Sequence, residues 1–137
     1  MGRILALDCG QKRIGLAVTD SLKITANGLA TVMVHEIFDY IEKYLQKEEL
    51  DTIVIGLPKQ MNGDESESMK YIRPIALGLE RKFPNIELVY VDERYTSILA
   101  HRTMLEAGLK KKDRQNKELV DKISATIILQ SYLETRI

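Results

Sequence analysis

The order of the apolar runs constrains this chain more than any other feature. RILALD and RIGLAVTD alternate with period two and are separated only by Cys9-Gly10-Gln11-Lys12. That spacing predicts two antiparallel strands joined by a tight turn in which Gly10 can take positive φ. A third strand is expected within ITANGLATVMV. The period then changes. Ile37, Tyr40, Ile41, Tyr44 and Leu45 fall at i, i+3, i+4, i+7 and i+8, the stripe of an amphipathic helix. TIVIGL and IELVYVD are short, continuously apolar, β-branched runs, as expected of strands covered on both faces. Between them, Pro58 to Glu67 is a polar loop turning at Gly63. A helix then runs through Met69, Ile72, Ala76 and Leu79 toward Phe83, with Pro74 expected to kink it or mark a fresh start. Thr96 or Ser97 can cap a further helix ending at Gly108, and Asn116 can cap the last one, ELVDKISATIILQSYL.

A hairpin-linked trio followed by strand–helix–strand units implies one α/β domain spanning residues 1–137. Its mixed five-stranded sheet is antiparallel on one side and parallel on the other, with helices on both faces. In such sheets ligands gather at the carboxyl ends of the parallel strands. Two acids stand there: Asp8 closes ILALD and Glu93 closes IELVYVDE. A third, Asp121, shares a helical stripe with Ala125, Ile128 and Tyr132, where the small Ala125 lets helix and sheet approach. Each acid has a plainer reading. Asp8 can begin a turn, Asp121 can answer a helix dipole, and Glu93 competes with Asp92 on the opposite strand face. Three carboxylates near a core are costly unless they share a cation, however. With no Cys/His framework, the set suits Mg²⁺ or Mn²⁺ and metal-assisted chemistry on phosphate.

Basic residues surround these positions in sequence. Lys12 and Arg13 lie within one turn of Asp8, where for either alone a solvated hairpin tip is the better reading. Lys59 follows TIVIGL, and Arg94 follows Glu93, where it can pair with that acid or grip a phosphate. Lys110, Lys111, Lys112, Arg114 and Lys117 carry one opposing acid, Asp113. This run reads equally as a solvated face or as a clamp on a nucleic-acid backbone. Cys9 reads as a small buried hydrophobe rather than a nucleophile, and His35 and His101 lack ligand spacing.

Twenty Lys and Arg balance twenty Asp and Glu, which disfavours a protein that coats nucleic acid indiscriminately but permits a local basic patch. With 45% hydrophobic and 29% charged residues the 137-residue chain reads as an ordinary globular protein. The single Cys9, the absence of a span-length apolar stretch, and the acid interrupting MGRILALD suggest a cytoplasmic protein with no membrane partner.

Four segments in order, ILALDCGQKRIGLAVTD, IVIGLPKQMNG, VDERYTS and VDKISATIILQSYL, together resemble the YqgF (RuvX-type) family across nearly the whole chain. The departures are small: Cys9, Asn62 where Asp is frequent, and Ser124-Ala125 where two alanines are usual. The resemblance implies an RNase H-like fold and a nuclease whose metal-binding catalytic acids are Asp8, Glu93 and Asp121. It also implies two divalent ions about 3.5–4 Å apart. Lys12, Arg13, Lys59, Arg94, Lys110, Lys111, Lys112 and Arg114 would position the substrate backbone. The implied role is 5′-end maturation of precursor 16S ribosomal RNA, with RNA favoured over DNA and ribosomal precursor particles as partners. A DNA junction resolvase is the alternative, although it would need a two-fold dimer and no exposed apolar interface is evident. A non-catalytic RNA-binding factor is a further alternative. A nucleotide-binding module of the actin-like ATPase and sugar-kinase type shares the acid-Gly hairpin, but would need a second domain.

Overall fold

The computed structural model describes residues 2–58, 69–93 and 116–135. Strand β1 is Arg3–Cys9, β2 is Arg13–Thr19 and β3 is Ala26–Met33. A 3₁₀ turn at Val34–Glu36 leads into helix α1, Ile37–Leu45. Strand β4 is Leu50–Pro58, helix α2 is Met69–Lys82, β5 is Glu87–Glu93 and helix α3 is Lys117–Thr135. The five strands form one sheet in the order β3-β2-β1-β4-β5. β1 and β2, and β2 and β3, pair antiparallel; β1 and β4, and β4 and β5, pair parallel. The mixed sheet expected from the run order is therefore present.

Alternation along the strands divides the core in two. On one face Leu5, Leu7, Ile14, Leu16, Ile53 and Ile55 pack with Ile37 and Ile41 of α1 and Ile72, Ile75 and Leu79 of α2. On the other, Ile4, Ala6, Ala17 and Val54 meet Ala125, Ile128 and Leu129 of α3. Side chains on this second face are smaller, so α3 sits close to the sheet. Helices cover both faces, as the continuously apolar central runs require.

Two local expectations need correction. Gly10 does not adopt positive φ. It is required for space, because a Cβ there would lie 2.8 Å from the carbonyl oxygen of Arg13, the group to which Gly10 N–H donates at 2.8 Å. At Pro74, where a kink or a fresh start is expected, the fresh start does not occur: α2 is continuous from Met69 to Lys82 with Pro74 inside it. A proline costs that position its bond to the carbonyl four residues back, that of Lys70. Ile72, Ile75, Ala76 and Leu79, all buried, hold the helix to the sheet on either side of it.

Candidate active site

Asp8 is the penultimate residue of β1 and is half-buried, in a strand whose other even positions, Ile4 and Ala6, face α3. The same alternation puts Asp8 on the α3 face, at the carboxyl end of a parallel strand. Its partner in register on β2 is Gly15, which in turn pairs with Thr31 of β3. These three residues form a row beneath the start of α3.

The start of helix α3 is capped within itself and is fixed onto that row by two contacts. Asn116 caps it, its Oδ1 accepting from Leu119 N–H at 3.2 Å and its carbonyl from Val120 N–H at 3.0 Å. Thr31 Oγ1 donates to the carbonyl of Glu118 at 2.7 Å. At Gly15 the two backbones come into direct contact: a Cβ built there would lie 2.1 Å from the carbonyl oxygen of Asp121 and 2.4 Å from its carbonyl carbon. Only glycine permits this approach. Because Asn116 supplies the cap, Asp121 is not needed for that purpose. It stands one turn further in, on the stripe with buried Ala125 and Ile128, and its side chain is 23% exposed.

Arg13, the first residue of β2, reaches across to Asp121, with Nε donating to Oδ2 at 3.0 Å. The two side chains are 30% and 23% exposed, which leaves the pair partly shielded from water. The base of Arg13 is also secured. Its carbonyl accepts from Gly10 N–H, and the carbonyl of Lys12 accepts from Val34 N–H at 2.9 Å. Lys12 itself is exposed at the hairpin tip, whereas Arg13 is not a solvated tip residue but the partner of one of the three singled-out acids.

Glu93 ends β5, with Pro58 as its backbone partner. Val89 and Val91 pack on the α3 face and Leu88 on the opposite one, the division on which the choice of Glu93 over Asp92 rests. The side chains of Asp92 and Glu93 lie outside the described residues, as do Lys59, Arg94, Lys110, Lys111, Lys112, Arg114, His101 and the helix expected before Gly108. Among the described residues no three His, Cys, Asp or Glu side chains group as metal ligands, and no helix is long and apolar enough to cross a membrane. Cys9 is 6% exposed and packs on the face opposite Asp8, as a small hydrophobe would.

Gly15 and Thr31 are the site residues that sequence reasoning passed over. Gly15 did leave a signal: a glycine inside the apolar strand RIGLAV marks either a bulge or a close backbone approach. The Arg13–Asp121 pair spans 108 residues and left none.

With this geometry in place, comparison with known proteins is informative. The profile of the RuvX family, described as Holliday junction resolvase, matches residues 2–135. This chain belongs to the RuvX family. A relative from Bacteroides fragilis is 62% identical over 136 residues, covering 99% of both chains, and one from Flavobacterium johnsoniae is 49% identical with the same coverage. Both bear the name "putative pre-16S rRNA nuclease". Among solved structures, Thermus thermophilus RuvC aligns with a TM-score of 0.56 at 12% identity, covering 98% of this chain and 95% of RuvC. A T. thermophilus RuvC bound to a Holliday junction substrate gives the same TM-score at 15% identity. The RuvX chain therefore shares the RuvC fold, the RNase H-like arrangement expected from its sequence.

Proposed function

We propose that this RuvX-family protein is a divalent-metal-dependent nuclease that hydrolyses phosphodiester bonds, with the 5′ end of precursor 16S ribosomal RNA as its substrate. The observation that carries the reading is the backbone contact at Gly15, which brings Asp121 of α3 over the strand pair that ends in Asp8. A helix pressed this closely onto glycine serves positioning. Relatives at 62% and 49% identity with the pre-16S rRNA nuclease name supply the substrate class.

The donors fit a hard cation. Asp8 and Asp121 offer carboxylate oxygens, and Asp121 already has a cation against it in the guanidinium of Arg13. Strand alternation assigns Glu93 to the same face, so Asp8, Glu93 and Asp121 would hold the metal. Divalent ions bound there would supply Lewis acidity at the scissile phosphate and an activated water. The protein's own contribution is placement. Gly15 and Thr31 fix the backbone of Asp121 relative to the strands beside β1, so the helix needs no reorganisation when substrate arrives. Lys12 and Arg13 would meet the substrate backbone from the β1–β2 turn, with Lys59, Arg94, Lys110, Lys111, Lys112 and Arg114 extending the contact. Cytoplasmic action on ribosomal precursor particles follows from this substrate.

The RuvX description as Holliday junction resolvase favours a second reading, in which the same centre cuts DNA junctions. One assay separates them: digestion of matched precursor 16S rRNA, single-stranded DNA and four-way DNA junctions with Mg²⁺ or Mn²⁺. Cleavage of the rRNA alone supports the proposal. Cleavage of the junction alone assigns the resolvase activity, and cleavage of neither overturns the nuclease reading.

A further inference from the structure

We propose that Arg13 is the resident counter-ion of Asp121 and is exchanged for the incoming divalent cation, so that the carboxylate has a cation against it both before and after metal loading. The inference rests on the metal-binding reading above and adds a residue-level device to it. Arg13 Nε donates to Asp121 Oδ2, the acid that α3 is locked in place to present. The guanidinium takes up one lone pair of that oxygen and sets a positive charge where a divalent cation would approach, so like-charge repulsion drives Arg13 off the carboxylate as metal loads.

The local structure allows the exchange to occur at the side chain alone. The Arg13 backbone is held by the Gly10 N–H bond and by pairing with Met33 across β2 and β3. The Asp121 backbone is held against Gly15. What remains free to move is the long arginine side chain, 30% exposed, whose departure breaks no backbone hydrogen bond among the described residues. Asp8, the register partner of Gly15, adds negative charge on the same face, so a departing guanidinium leaves a site in which a doubly charged ion is favoured.

The test uses the wild-type protein first. The Nε–Hε resonance of Arg13, identified by its loss in Arg13→Lys, is followed during Mg²⁺ titration beside the backbone amides of Asp8 and Asp121. The expected result is that all three move together, with the Nε–H shifting toward the value of a solvated arginine. Manganese affinity is then compared by calorimetry. Arg13→Gln removes the competing charge and should bind Mn²⁺ roughly tenfold more tightly than wild type, whereas Arg13→Lys keeps the charge and should stay within about threefold. Backbone shifts with an unmoved Arg13 Nε–H, or Mn²⁺ binding that Arg13→Gln leaves unchanged or weakens, overturn the exchange while leaving the metal site standing. Failure of the wild type to bind either ion at millimolar concentration overturns the metal site, and the exchange with it.

Discussion

Replacing Gly15 with alanine adds a single methyl group and tests whether the Gly15 contact holds the site together. The new Cβ would lie 2.1 Å from the Asp121 carbonyl oxygen, where contact distances are normally above about 3.2 Å. Neither side can yield cheaply, since both atoms belong to backbone in regular structure. Helix α3 must therefore lift by roughly 1 Å. Overpacking of this kind costs about 1–3 kcal/mol, and disturbance of the Thr31–Glu118 bond places the expected loss near the upper end. For a chain of this length that is a fall in melting temperature of about 6–12 °C. With Asp121 acting as the proposed metal-binding carboxylate, its displacement by about 1 Å should lower the cleavage rate roughly a hundredfold at a temperature where the variant is folded. Gly28 provides the internal control. It also faces α3, yet a Cβ there would meet only Thr126 and Lys122 side chains at 3.6 Å or more, and its φ is not positive. Gly28→Ala should be neutral, or stabilising by about 0.5 kcal/mol through the unfolded state. Thermal melts and single-turnover cleavage of both variants decide the matter. If Gly15→Ala behaves like Gly28→Ala, the reasoning about α3 is wrong.

Changing Lys110, Lys111, Lys112 and Arg114 together to Gln should weaken binding of a short RNA much more at low salt than at high salt, reducing the salt slope by roughly three to four counterions, while leaving the chemical step on saturating substrate nearly unchanged. An unchanged slope, from binding isotherms at several salt concentrations, would remove these residues from the interface. Asn116→Ala should cost about 1 kcal/mol by chemical denaturation, because Leu119 N–H loses its cap. Hydrogen bonds from the N–H groups of Thr25 and Ile24 hold the Asp20 carboxyl below its ordinary value. A depressed folded-state value means that Asp20 adds stability above the unfolded carboxylate range, about pH 3.9, and loses it as pH falls through the folded value. Asp20→Asn should accordingly flatten the decline in melting temperature below about pH 4, and an unaltered acid limb would contradict the assignment.

Much of the fold was legible because each decisive signal was local. Period-two alternation in RILALD and RIGLAVTD, followed by a change to helical period at Ile37, fixes both the hairpin and the crossover to a parallel strand. The Asp121–Ala125–Ile128 stripe correctly identified the face that α3 buries. Where local reasoning failed, the determining contact was elsewhere in the chain or was steric rather than conformational. A left-handed backbone is the commonest reason for glycine in a turn, yet at Gly10 the close approach of the Arg13 carbonyl is what excludes a side chain. Of the two outcomes Pro74 allows, a kink or a fresh start, the fresh start does not occur, because burial of Ile72, Ile75 and Leu79 outweighs one missing hydrogen bond. Arg13 looked like a hairpin-tip cation. Its partner lies 108 residues away, and no periodicity within either segment could connect them.

Asp8 and Asp121 are proposed to hold the metal of a nuclease. Cleavage of a precursor 16S rRNA fragment by wild type, Asp8→Asn and Asp121→Asn, each in Mg²⁺ and in EDTA, tests it most directly. Both substitutions conserve volume, so circular dichroism should show all three proteins folded. The expected result is cleavage by wild type in Mg²⁺ only, with each variant slower by a factor of about a hundred or more. Cleavage at the wild-type rate by pure, folded Asp8→Asn protein, or undiminished cleavage by wild type in EDTA, would contradict it.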